Sequence, residues 1–209
     1  MTLPSPLGLP EVPDVPAPVL GWRTWRVGRR AQRRAELVGP LAGHVWRPGQ
    51  PMVATCGSRS HAPPGDRCGC GLYAVADPGT LEWGPSDFEV LGVVALWGRI
   101  LEGTRGWRGS QAYPRFVVTG PAIAAEQRAA LARRYGVPVH RSDVPARAVA
   151  SLLGSDRGNA DALREGTHDQ VDALLTAGMP EWTRRWQARQ VHAEAARARR
   201  ARWTAWRRR

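Results

Sequence analysis

Residues 56–73 read CGSRSHAPPGDRCGCGLY and contain every cysteine of the chain, with a histidine between them. The spacing is C-x4-H-x6-C-x-C, so Cys56, His61, Cys68 and Cys70 fall within fifteen residues. Three thiolates and an imidazole are the donor set a tetrahedral zinc ion prefers. The filler suits such a loop: Pro63, Pro64 and Gly65 impose a turn, and Gly57, Gly69 and Gly71 allow close approach of the backbone. A metal staple at this point fixes two chain segments side by side. The alternatives are plain surface thiols in a Gly/Pro loop, or a disulfide from Cys56 that leaves one thiol over. Clustered cysteines without a signal peptide favour a reducing compartment and metal ligation. His44 is a reserve ligand. A catalytic zinc needs an open coordination position and an acid/base partner, and only Asp66 lies in the loop. The expectation is a closed, structural zinc knuckle.

At 209 residues and 43% hydrophobic composition the chain can bury one core, and its 18 prolines and 23 glycines point to many loops. Every basic residue is arginine, which together with frequent Ala, Gly and Pro indicates a GC-rich coding sequence. Part of the +12 net charge therefore reflects codon usage. No run reaches the roughly 18 apolar residues of a membrane span, and no basic segment precedes an apolar one at the N-terminus. The chain reads as cytoplasmic.

By composition the chain divides into a Pro-rich disordered leader (1–20), a zinc-stapled α+β domain (21–154), a linker with a short helix (155–181) and an Arg/Trp-rich basic arm (182–209). Trp22, Trp25 and Val27 alternate with polar residues as a strand does. Short strands are expected at 51–55 and 72–76, holding the cysteine loop between them. In 88–119 both parities are apolar, which predicts a strand covered on both faces or a groove lined by Trp97, with Trp107 and Tyr113. Residues 103–106 (GTRG) form a turn and 107–118 run back as the partner strand. Glu102 and Arg108 are expected to pair across that turn. Gly92 and Gly98 mark bends in a small curved sheet or open β-barrel. A helix is then expected from Gly120 and Pro121 to Gly136, a strand at 137–140, and a second helix capped by Asp143 and ending at Gly154. The polar stretch 155–166 reads as a linker, and 167–178 as a short helix carrying Val171, Leu174 and Leu175.

The arm 182–209 has ten arginines and one glutamate, so it supplies most of the net charge. Alanine gives it helical propensity. Trp182, Trp186, Trp203 and Trp206 do not form one stripe, since Arg189 and Arg200 share the side of Trp182; a buried partner-helix face is therefore not expected. Arg184, Arg185, Arg189, Arg199, Arg200 and Arg202 on phosphates, with Trp203 and Trp206 stacking on bases, account for the mixture.

The segments GWRTWRV, ATC, HAPPGDRCGCGLYA, LGVVALWGRILEGTRGWRGSQAYP and LARRYGVPV resemble the motif string of small Cys/His-cluster proteins from GC-rich, actinobacterial-type bacteria and their phages. The resemblance covers about residues 21–140 and implies a compact module around the Cys/His cluster. It implies no activity.

Three functions compete. The first is nucleic-acid binding, with zinc bracing the module, the arm providing affinity, and Arg23, Arg26, Arg29 and Arg30 extending the basic surface. The second is a protein- or ligand-binding adaptor using the Trp97/Trp107 groove. The third is a zinc-dependent enzyme, against which stand the missing HExxH, phosphate-loop, GxSxG and zinc-deaminase signatures. Nucleic-acid binding is the leading expectation, and catalysis the weakest.

Overall fold

The computed structural model describes residues 17–28, 35–40, 43–57, 61–81 and 88–207, with side chains through Arg200. It is an α+β fold in which a curved sheet of eight strands carries four helices. The sheet does not close into a barrel.

Its spine is the long hairpin of β6 (Val90–Gly103) and β7 (Gly106–Thr119). The turn falls at Thr104 and Arg105, within the GTRG signal. Register slips between Val93 and Val94 and between Trp97 and Ile100 bend the hairpin. At the second slip Gly98 has φ 74°, in the left-handed region that disfavours a side chain. The Ser110 hydroxyl stabilises this bulge, accepting from Arg99 N–H at 3.0 Å and donating to the Trp97 carbonyl at 3.3 Å.

β1 (Val19–Val27) pairs antiparallel with one edge of β6. Three short strands share the far edge of β7 in succession: β5 (Leu72–Val75), then β4 (Met52–Val53), then the parallel β8 (Val139–Arg141). β2 (Leu37–Val38) and β3 (Val45–Trp46) extend the end of β1. Curvature brings β5 back to β1 through the single pair Trp22 and Val75.

The apolar character of both parities in β6 has the expected cause, since each face is covered. On one face Leu91, Val93, Phe116 and Val118 pack with Trp22 against α2 (Ala146–Gly154), α3 (Arg157–Glu165) and the first half of α4 (His168–Arg207). On the other, Val90, Val94, Leu96 and Val117 pack with Trp25, Leu37, Trp46 and Leu72 against Leu131 and Tyr135 of α1 (Ala125–Tyr135). One edge-to-face pair packs within each layer, Trp22 with Phe116 and Trp25 with Trp46, at 6.0 and 5.4 Å between ring centroids.

Several local expectations are revised. α1 starts at Ala125 rather than at Gly120 and Pro121, with the Gln127 side chain accepting from the Ala124 N–H. Asp143 does not cap α2, whose N-cap position is Pro145 with no side-chain cap bond; Asp143 pairs with Arg141 at 3.0 Å, and Ser142 Oγ accepts from Val144 N–H in the preceding turn. The polar stretch read as a linker contains α3, started by Asp156, whose carboxylate accepts from Asn159 N–H. The short helix and the basic arm are one 40-residue helix, α4, which continues through Pro180. The leader up to residue 16, the end of the arm after 207, and Arg29 and Arg30 lie outside the described residues.

Candidate metal centre

The cysteine loop leaves β4 and returns in β5, and both strands pair with neighbouring stretches of β7. Ala54 N–H donates to the Ser110 carbonyl at 2.8 Å, while Leu72 sits opposite Gly109. The two ends of the loop are thus held side by side, as a knuckle requires.

Within it the four ligand atoms of Cys56, His61, Cys68 and Cys70 all lie within 4.8 Å of one another, and each residue is half-buried. The Cys56 and Cys68 sulfurs are 3.7 Å apart, and His61 Nε2 is 3.2 Å from Cys70 Sγ. Tetrahedral bonds of zinc length, about 2.3 Å to sulfur and 2.0–2.1 Å to nitrogen, give edges of roughly 3.8 Å between sulfurs and 3.6 Å between sulfur and nitrogen. The cluster therefore has the size and donor chemistry of such a site. All three cysteines are free thiols, so the disulfide alternative is not adopted. His44, the reserve ligand, does not join the cluster.

The loop also favours thiolate at two positions. The Cys68 thiol is held below its ordinary pKa, first by hydrogen bonding from the Cys70 backbone and side chain, then from Cys56, with Arg108 adding a smaller attraction. Cys70 is lowered chiefly by the Gly65 N–H, which donates to its sulfur at 3.2 Å, and then by His61. A Cβ on Gly65 would stand 2.6 Å from the His61 ring, so only glycine lets the imidazole lie flat against this turn.

Arg108 is the residue the sequence did not reveal. It stands opposite Tyr73 in the β5–β7 ladder and reaches into the loop, where its Nη1 donates to the carbonyls of Cys68, Cys70 (3.1 Å) and Gly65 (3.4 Å). The expected pairing with Glu102 gives way to this role, because Leu101, not Glu102, is its ladder partner on β6. Arg99 adds an exposed ion pair with Asp66 at 2.9 Å. Asp66, the one acidic residue of the loop, is thus engaged by a cation.

The residues expected to line a groove have separate partners. Trp97 donates its indole N–H to Gln111 at 3.0 Å, and Trp107 lies under the Arg164 guanidinium. The Tyr113 hydroxyl donates to the Tyr135 carbonyl and accepts from Gly49 N–H, each at 2.9 Å.

The arm residues divide between body and solvent. Trp182 is buried in the core cluster shared with α2 and α3, contrary to the expectation of no buried face, and Trp186 packs against the same cluster. Arg185 and Arg189 donate to Ser155 and Ser151, at 3.1 and 2.8 Å. Arg184, Arg199 and Arg200 belong to the same helix, with Arg199 and Arg200 exposed. Arg202, Trp203 and Trp206 continue its backbone. Arg23 is not an extension of a basic surface: it folds over the Trp46 ring and donates to the Tyr73 carbonyl, whereas Arg26 is exposed. No helix among the described residues is long and apolar enough to cross a membrane.

Comparison with protein-family models, with curated proteins and with solved structures finds no match to this chain.

Proposed function

We propose that this is a nucleic-acid-binding protein in which Cys56, His61, Cys68 and Cys70 hold a structural zinc ion and the distal half of α4 supplies the binding charge. The observation that carries the reading is the exposure of α4 beyond the body: from Val191 to Arg200 almost every residue faces solvent, and Arg197, Arg199 and Arg200 accompany one acidic residue, Glu194. Arg202 and Arg207 follow on the same helix. Such a charge density attracts phosphate backbones without reading their sequence. Zinc supports the reading through the donor set, since three thiolates with one imidazole fill a tetrahedron and leave no open position for substrate. The ion then has no catalytic role, and the protein is not read as an enzyme.

The test compares the full chain with a chain ending at Gln190 for binding to a mixed-sequence duplex and to a single strand, at a series of salt concentrations. Truncation there spares Trp182, Arg185 and Arg189, which belong to the packed body. Neutralising about five phosphates gives a log–log salt slope near −4 to −5 for a duplex, and loss of the distal helix should remove most of it. Equal binding by the two chains would overturn the role of the arm. Elemental analysis showing no zinc in protein purified under reducing conditions would overturn the metal assignment.

A further inference from the structure

Beside the metal loop, a cavity of about 360 Å³ opens between β1, β5 and the β2–β3 hairpin. Its walls include Trp22, Arg23, Trp46, Leu72 and Tyr73, and on one side Cys70 of the cysteine cluster lines it between Gly69 and Gly71. Among the described residues no aspartate or glutamate lines it. That is the size range of small-ligand sites, which combine apolar walls with a few fixed polar groups.

The strongest hydrogen-bond donor among the described lining residues is the Arg23 guanidinium. The Nε atom of Arg23 and the indole nitrogens of Trp22 and Trp46 are sealed from solvent and have no hydrogen-bond partner. The Arg23 guanidinium sits over the Trp46 ring at 4.9 Å, and among the described residues its hydrogen-bond acceptor is the Tyr73 carbonyl. Buried polar atoms are rarely left unpaired, and a half-buried cation on a largely apolar wall attracts an opposite charge. Burial lowers the Arg23 pKa to about 10, which still leaves it charged at neutral pH.

We propose that this cavity binds a small organic carboxylate, its anionic head on Arg23 and its apolar body against the tryptophan-rich wall. A guanidinium presents a planar fork that matches a carboxylate, and its single charge balances a monoanion. A phosphate dianion would call for a second permanent cation; among the described lining residues Arg23 is the one arginine, with His44 the other basic side chain. This site is independent of the arm and of nucleic-acid binding.

The experiment uses the full, metal-loaded chain labelled with ¹⁵N and titrated with benzoate, with benzamide as the neutral isostere and inorganic phosphate as the competing anion. Saturable binding of benzoate, shifting the Arg23 Nε–H and two indole N–H resonances, is expected. Benzamide should bind at least tenfold more weakly. Arg23→Gln should abolish benzoate binding at unchanged metal content, and Arg23→Lys should retain part of it. If Arg23→Gln does not fold, the benzoate–benzamide comparison on the unaltered protein decides alone. Equal response to the two, or no saturable response to benzoate, overturns the proposal. Phosphate binding as tightly as benzoate overturns the assigned ligand class.

Discussion

Replacing Arg108 with leucine tests whether the metal loop is shaped by the hairpin beneath it. One guanidinium nitrogen holds the carbonyls of Cys68 and Cys70, with a longer contact to Gly65 at 3.4 Å. Hydrogen bonds from a charged donor contribute about 1.5–3 kcal/mol each, but sharing one nitrogen in a half-buried position puts the total nearer 1.4–2.8 kcal/mol. At 1.4 kcal/mol per tenfold, zinc affinity should fall by about 10- to 100-fold, the usual effect of losing a group that orients metal ligands. The affinity is read by competition with a chromophoric chelator, on protein whose circular dichroism matches the parent. Arg99→Leu is the control. Its ion pair with Asp66 leaves both side chains about half or more exposed (48% and 69%), so its loss should cost less than about 1 kcal/mol. An Arg108→Leu protein that folds normally and binds zinc within twofold of the parent would refute the reasoning.

Two further perturbations probe the body. The buried Tyr135 hydroxyl accepts from Leu37 N–H at 2.8 Å and donates to the Trp46 carbonyl at 2.5 Å, and burial raises its pKa to about 12. Tyr135→Phe leaves both backbone groups unpaired, so urea denaturation should show a loss of about 1–3 kcal/mol; an unchanged midpoint would count against the assignment. His140 has its pKa lowered, first by burial and then by His168, with Asp172 opposing at 3.3 Å. A histidine whose folded pKa lies below the ordinary 6.5 binds fewer protons folded than unfolded, so its contribution is retained above that value and lost as pH falls below it. His140→Gln should therefore flatten the acid side of the stability–pH curve relative to the parent, and parallel curves would contradict the sign.

Much of the sheet was legible because its cues are local. The two-sided apolar pattern of 88–119 and the GTRG turn specify a buried hairpin, and the alternation around Trp22 and Trp25 specifies a strand. The cysteine spacing likewise predicts a cluster, and the structure draws all four ligands together. The hidden parts depend on partners distant in sequence. Arg108 is 38 residues from the Cys70 carbonyl it holds, and only the β5–β7 register brings them together. α3 was missed because its composition is polar, yet Ala160 and Leu163 suffice to dock it once α2 and α4 are in place. In α4, Pro180 and the mixed tryptophan and arginine faces argue against a single docked helix. Tertiary burial of Val171, Leu175 and Trp182 outweighs both signals. The size of the two cores also changes what the metal is for: neither cluster includes a cysteine, so removing zinc should loosen the loop more than the sheet.

The continuity of α4 has a mechanical consequence. Helix rise is about 1.5 Å per residue, so the residues from 190 to 207 extend about 27 Å beyond Arg189, which bonds Ser151 of the body. A flexible tether would let its cargo wander through a volume of that radius. A helical lever gives the cargo a bearing instead, and the two arginine–serine contacts set the pivot. The nucleic acid proposed as partner would then meet a fixed span close to eight base-pair steps of duplex, at about 3.4 Å each.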